Sequence, residues 1–179
     1  MSGEVIIVTG PPGAGKTTVS RLLADTATAP TVHLETDLFY RSVRAGFVPP
    51  FLPEAHRQNE VVIEAIVASV AAYARGGYDV IVDGIVGPWF LPRFRTLADH
   101  GGPVVSYVVL RPDLSTTVSR AQQRVGDELK DLDAIRGLHD AFSELGDLEQ
   151  YTIDTGGLDP NRTADRTRQL LATGSHRLT

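Results

Sequence analysis

Residues 4–17, Glu4-Val5-Ile6-Ile7-Val8-Thr9-Gly10-Pro11-Pro12-Gly13-Ala14-Gly15-Lys16-Thr17, decide how the rest of the chain is read. Val5 to Thr9 are apolar or β-branched, as a buried strand is. Gly10 to Thr17 fit G-x-x-x-x-G-K-[ST], the pattern of a phosphate-binding loop. Beyond it, Val19, Leu22 and Leu23 share one face of a helix. The spacing predicts a strand over 4–9 and a helix over 16–27. Gly10, Gly13 and Gly15 let the backbone turn tightly and approach an anion. Loop N–H groups and the helix N-terminus then point at it. The stretch Gly10, Pro11, Pro12, Gly13, Ala14, Gly15, Lys16, Thr17 and Thr18 is expected to surround the phosphates of a nucleotide. Lys16 supplies a point charge to the β- and γ-phosphates, and the Thr17 hydroxyl joins a Mg²⁺ shell. Lys16 is one of only two lysines, with Lys130, and it stands where the pattern demands lysine. A glycine-rich turn that merely caps a helix is the other reading, and the flanking strand and helix weigh against it.

The bulk properties narrow the function classes. A chain of 179 residues, 42% hydrophobic and 22% charged, is expected to form a single domain over 1–179 with an ordinary core. A net charge of −5 argues against a nucleic-acid surface as the main partner. The absence of cysteine excludes disulfides, Cys-ligated metals and a Cys nucleophile. No N-terminal signal pattern and no apolar run of ~18 residues is present, so a cytoplasmic protein without a membrane partner is expected. Monomer and homodimer stay open.

Five strand-like runs alternate with helical patterns. The strands are expected at 4–9, 31–36, 78–83, 104–110 and 151–154. The helices are expected at 16–27, 38–46, 54–75, 88–99, 112–124, 131–145 and 160–172. Phe47 to Pro53 carries three prolines and reads as a substrate-side loop. Residues 174–179 read as a loose tail. This alternation predicts an α/β three-layer fold with a mostly parallel sheet, whose ligands gather at the C-terminal strand ends. The phosphate loop, Asp37, Asp83 and Gly156-Gly157 all follow strands and are expected on that edge.

With the loop, the acids after the second and third strands, and the Arg120-x-x-x-Arg124 helix together, the chain resembles the small P-loop kinases. It is most similar to the chloramphenicol-phosphotransferase-like and gluconate-kinase-like branch, often labelled AAA-type ATP-binding proteins. The resemblance spans nearly the whole chain. It implies the sheet order 2-3-1-4-5, ATP and Mg²⁺ as co-substrates, and a short mobile lid near 120–136. It implies that Asp37 takes the proton of the acceptor hydroxyl and that Asp83 lies near the metal and the substrate. It further implies that Arg120 and Arg124 clamp phosphates, and that the turn from Thr155 through Gly156 to Leu158 borders adenine. Phe47–Pro53 and Gly87-Pro88-Trp89-Phe90 match no named acceptor.

Each candidate also has a plainer reading. Asp37 is either a proton acceptor or the N-cap of the next helix; Glu35 shares its face if the strand continues to Asp37. Asp83 is a carboxylate for the metal and the substrate or a turn acid before Gly84. Arg120 and Arg124, one turn apart, suit bidentate phosphate contacts or form a solvated face, and Arg136 is a further candidate across the lid. Trp89 and Phe90 line an acceptor pocket or belong to the core, the more ordinary assignment. Arg57, Arg93 and Arg95 suit an anionic acceptor or are surface arginines. His33, within a strand, reads as packed. The expected activity is transfer of the ATP γ-phosphate to a hydroxyl of a small molecule. The alternatives are a nucleoside or nucleotide kinase, a polynucleotide or sugar-nucleotide kinase, and a regulatory ATPase without an acceptor. The chain carries neither the N-K-x-D nor the L-S-G-G-Q element of other nucleotide-hydrolysing classes.

Overall fold

A computed structural model describes residues 2–123, 129 and 131–178. Among them, Val5–Thr9 (β1), Thr31–Glu35 (β2), Asp79–Asp83 (β3), Val105–Leu110 (β4) and Thr152–Ile153 (β5) form one sheet in the order β2-β3-β1-β4-β5. Every pairing of these strands is parallel, as connections long enough to hold a crossover helix allow. The helices are Lys16–Asp25 (α1), Thr36–Arg41 (α2), His56–Arg75 (α3), Leu91–Arg95 (α4), Leu114–Gln122 (α5), Leu132–Asp140 (α6) and Pro160–Ala172 (α7). The α/β fold and the strand order therefore match expectation.

Alternation along the strands builds two cores. Val5, Ile7, Val82, Tyr107 and Val109 pack with Val62, Ile63, Ile66 and Val70 of α3. Val8, Ile81, Val108 and Leu110 face the other way, onto Val19 and Leu23 of α1 and Ala164 of α7. Each aliphatic side chain so buried stabilises the fold by about 1.5–3 kcal/mol. Among the described residues, no helix is long and apolar enough to cross a membrane.

Several elements depart from the expected boundaries, each for a local reason. β2 stops at Glu35 and runs directly into α2. The bend falls where buried Thr36 packs on Gly84, whose missing Cβ would collide with the Thr36 side chain. Asp37 therefore lies in the first turn of α2, and that helix ends at Arg41 rather than near 46. α4 begins at Leu91, with Pro92 in its first turn, where a missing N–H costs nothing. α5 begins at Leu114 because Asp113 caps it, accepting from Thr116 N at 2.8 Å. α6 ends at Asp140, short of 145, and Gly146–Tyr151 is a 3-10 turn.

The C-terminal tail corrects the largest expectation. Far from loose, it lies antiparallel beside β4, with Arg177 opposite Ser106. Tyr107 N donates to His176 O and Leu178 N to Val105 O, both at 2.8 Å. β5 pairs only with Val109 and Leu110, so the tail takes up the stretch of β4 that β5 does not reach. His176 is 2% exposed, with its ring edge-on to Tyr151 at 5.8 Å. Burial, and then the nearby Arg166 charge, push its imidazole pKa down.

A second tie lies past the end of β4. Arg111 Nη1 donates to Phe142 O at 2.7 Å, and the guanidinium grips both Glu149 oxygens at 2.8 Å. Leu145 N donates to the same carboxylate at 3.1 Å. These bonds, led by Arg111, hold the Glu149 carboxyl below the usual carboxylate range.

Two tests follow from these ties. Arg111→Ala is expected to lower stability by about 1–2 kcal/mol in urea unfolding, since the partly exposed pair is screened. A depressed carboxyl contributes stability above its unfolded pKa and loses it as pH falls through the folded one, so the deficit of Glu149→Gln shrinks below about pH 4. For His176 the unfolded chain takes up the proton first. Stability is therefore expected to drop as pH falls below about 6.5, and His176→Phe flattens that limb of the urea midpoint against pH.

Candidate active site

β1 ends in a loop whose shape the surrounding backbone imposes. At Gly10 φ is 139°, and a Cβ would collide with the Leu110 carbonyl at the end of β4. At Gly13 φ is 82°, and a Cβ would stand 2.5 Å from the Thr117 carbonyl of α5. Gly15, at φ 90°, precedes α1 and faces open space within 4 Å of its Cβ position. Among the described residues no side chain caps α1, as none caps α2, α3 or α4, whereas aspartates cap α5, α6 and α7. The first-turn N–H groups of α1 lie at the positive end of the helix and have no side-chain acceptor, and Gly15 and Thr18 at that end border the cavity described next. Lys16, 8% exposed, folds over the loop and donates from Nζ to Gly10 O at 3.1 Å and Pro11 O at 3.0 Å. Thr17 is half-buried and Thr18 exposed.

Beside the loop lies a cavity of about 330 Å³. Gly13, Ala14, Gly15, Thr18, Val19, Arg120, Thr155, Leu158, Asp159, Pro160 and Thr163 line it. Thr155 is 1% exposed and its Oγ1 has no hydrogen-bond partner, a buried hydroxyl that a bound molecule can satisfy. Together with the uncapped helix, these features suit a nucleoside triphosphate. Gly156 stands in the same turn, where its N–H donates to Asp154 Oδ1 at 2.9 Å. The contribution of Asp159, Pro160 and Thr163 escaped sequence reasoning. The Asp-Pro pair that opens α7 directly after the turn is the signal that marks them.

Asp83 ends β3 at 3% exposure. By alternation it shares the sheet face of Ile81, which packs in the core beneath α1. His33 lies within reach, its Nε2 at 3.2 Å from Asp83 Oδ2. With the carboxylate ionised, the ring nitrogen is the donor. Register explains the contact, because His33 pairs with Ile81, two residues before Asp83, and Glu35 pairs with Asp83 itself. A packed His33 was expected; the register that turns it toward Asp83 is invisible in one sequence. The Thr17 hydroxyl and the remaining Asp83 oxygen are hard donors of the kind Mg²⁺ takes alongside phosphate and water.

Asp37 is exposed in the first turn of α2. Because β2 has already ended, strand alternation does not place Glu35 and Asp37 on one face. Tyr40 follows one turn later, its hydroxyl pKa pushed up to about 12 by burial and then by the Asp37 charge. Arg120 reaches the cavity from the last turn of α5. Arg124 lies outside the described residues, as does part of the expected lid. Arg136 is exposed, 3.6 Å from Asp133, and Arg57 is exposed at the start of α3. Trp89, for which core was the more ordinary assignment, is 49% exposed, while Phe90 packs against the core. A second cavity, of about 320 Å³, runs between Trp89 and the start of α3 and takes in Arg93.

The fold recurs among solved structures. A sugar kinase from Janibacter sp. superposes with a TM-score of 0.67 at 18% identity, over 95% of each chain. The tunicamycin resistance protein of Deinococcus radiodurans gives 0.69 at 18% identity over 99% of each chain. A gluconokinase from Sinorhizobium meliloti 1021 gives 0.63 at 19% identity over 98% of each chain. Comparison with curated proteins gives no match. The sequence profile of the AAA domain family matches residues 5–145, from the first residue of β1 to beyond α6, so the chain belongs to that family and has the fold of the small P-loop kinases.

Proposed function

We propose that this protein is an ATP-dependent phosphotransferase that moves the γ-phosphate of ATP to a hydroxyl of a small molecule. The observation that carries the reading is the uncapped N-terminus of α1 opening beside a cavity lined by Gly13, Arg120 and the buried Thr155 hydroxyl. The sheet order and the kinase folds that share it support the same reading. So does the position of Asp83 at the strand end next to β1.

In this reading the loop N–H groups and Lys16 hold the triphosphate, with Lys16 exchanging its loop carbonyls for phosphate oxygens. Thr17 and Asp83 hold Mg²⁺, which offsets phosphate charge. His33 fixes one oxygen of Asp83 and leaves the other for the metal or its water. Asp37 accepts the proton of the acceptor hydroxyl, whose oxygen bonds to the γ-phosphorus as the bond to the ADP oxygen breaks. Arg120, together with Arg124, neutralises charge on the transferring group. The two remaining site assignments are Trp89, on the acceptor side, and Arg57, which is exposed at the start of α3 and does not line the cavity beside Trp89. The protein works as a single domain over 1–179, in the cytoplasm, as a monomer or homodimer, without nucleic acid.

The test is transfer from γ-labelled ATP with Mg²⁺ to a panel of sugars, sugar acids, nucleosides and hydroxylated antibiotics, beside a no-acceptor control. Label in one acceptor class is expected. Phosphate release that no acceptor stimulates would instead favour a regulatory ATPase. Lys16→Ala is expected to abolish transfer. Asp37→Asn should lower kcat by about 10²–10⁴-fold with ATP affinity nearly unchanged in a direct titration, and unaltered turnover would remove Asp37 from the mechanism.

A further inference from the structure

The cavity beside Trp89 has a built wall. The six-membered ring of Trp89 lies over Gly87, so closely that a Cβ there would collide with Cη2, Cζ2 and Cζ3 of the indole. Phe142, at a ring separation of 6.1 Å, and Phe90, at 6.0 Å, flank the same ring. The indole is thus fixed from behind and beside, yet 49% exposed. A large aromatic ring held in place and left half in water is an apolar surface available to a ligand.

Leu52, Pro53 and Phe90 extend the apolar wall. The polar part is electrically balanced. Arg93, the one arginine or lysine lining this cavity among the described residues, is ion-paired with Glu60 at 3.0 Å. His56 stands 4.0 Å from the same carboxylate. No excess positive charge remains for a carboxylate or phosphate on the ligand. Asn59 donates from Nδ2 to Pro50 O at 2.8 Å, while its buried Oδ1 has no partner. An amide oxygen in that state accepts from a hydroxyl.

The wall is also tied to the phosphate loop. Gly84 N donates to Val8 O at 3.3 Å, and Val86 N donates to the hydroxyl of Thr9, the residue before Gly10, at 2.9 Å. Trp89 follows Val86 by three residues, so their Cα atoms are within roughly 11 Å.

We infer that this cavity is the acceptor subsite, that it takes an uncharged hydroxylated molecule carrying a flat apolar ring, and that Gly87 sets specificity by fixing the indole on which that ring stacks. The inference rests on the kinase reading for the word acceptor. Its test is binding without nucleotide, so a failure of phosphoryl transfer and a failure of this subsite are read separately.

The probes are phenyl β-D-glucoside, methyl β-D-glucoside and gluconate, titrated calorimetrically into the whole chain. The phenyl glucoside is expected to bind about tenfold tighter than the methyl glucoside, and gluconate more weakly than either. Trp89 is the single tryptophan, so its emission, excited at the red edge, reports saturation by the phenyl glucoside directly. In Gly87→Ala, whose Cβ displaces the ring, and in Trp89→Ala, the phenyl-to-methyl ratio is expected to fall toward one. Unfolding midpoints check that both variants are folded. A wild-type ratio below about threefold, including no measurable binding of either glycoside, overturns the inference. So does gluconate binding as tightly as the phenyl glucoside, or a ratio that survives in both variants.

Discussion

The crowding of backbone around Gly10 is the constraint on which the site depends. The Leu110 carbonyl occupies the place where any side chain at Gly10 would stand, so the end of β4 sets the path of the loop leaving β1. The Thr117 carbonyl of α5 does the same beneath Gly13. Thr9, the last residue before the turn, anchors the connection after β3 through Val86. The phosphate loop is consequently a junction where the ends of three adjacent parallel strands and one crossover helix meet. Parallel register does the rest. Once β3 lies beside β1, Asp83 has no alternative to the sheet edge next to the loop, and once β2 lies beside β3, His33 and Glu35 flank Asp83.

Electrostatics follow from the same geometry. Aspartates accept from first-turn N–H groups in α5, α6 and α7 and so stabilise those helix ends. α1 forgoes that contribution. Beside its N-terminus, Lys16 donates to two neutral loop carbonyls, acceptors that an anion can replace. The uncapped end at Gly15 differs from those of α2, α3 and α4 in bordering the cavity lined by Arg120 and Thr155.

The parts legible in the sequence are those carried by short-range pattern. The strand expected at 4–9, the loop, the helix expected at 16–27, which ends at Asp25, and the apolar face of α3 depend on neighbours within a few residues, and they are found close to where local pattern puts them. The illegible parts depend on residues far away. β2 yields to α2 at Thr36 because Gly84, a residue of the next strand's exit, leaves room for it. His33 meets Asp83 only through pairing of β2 with β3. His176 is buried because β5 is too short to cover β4, which no reading of a Gly-Ser-His-Arg segment reveals. Trp89 stands half exposed with its six-membered ring in the space that a side chain at Gly87 would fill. Around the candidate site, the conformation of the glycine loop and α1 was therefore far more legible than the surroundings of Trp89.

The short β5 has a consequence for association between molecules. An edge strand with a row of unpaired N–H and C=O groups is a template for pairing with another chain. Without the segment around His176 to Leu178, the outward groups of Val105 and Tyr107 would form such a row. Their bonds to Leu178 N and His176 O close it, and the Tyr151 hydroxyl, donating to Arg177 O at 3.1 Å, pins the closing segment from the side. The segment 176–178 thus covers a stretch of β4 that would otherwise be open to pairing with another chain.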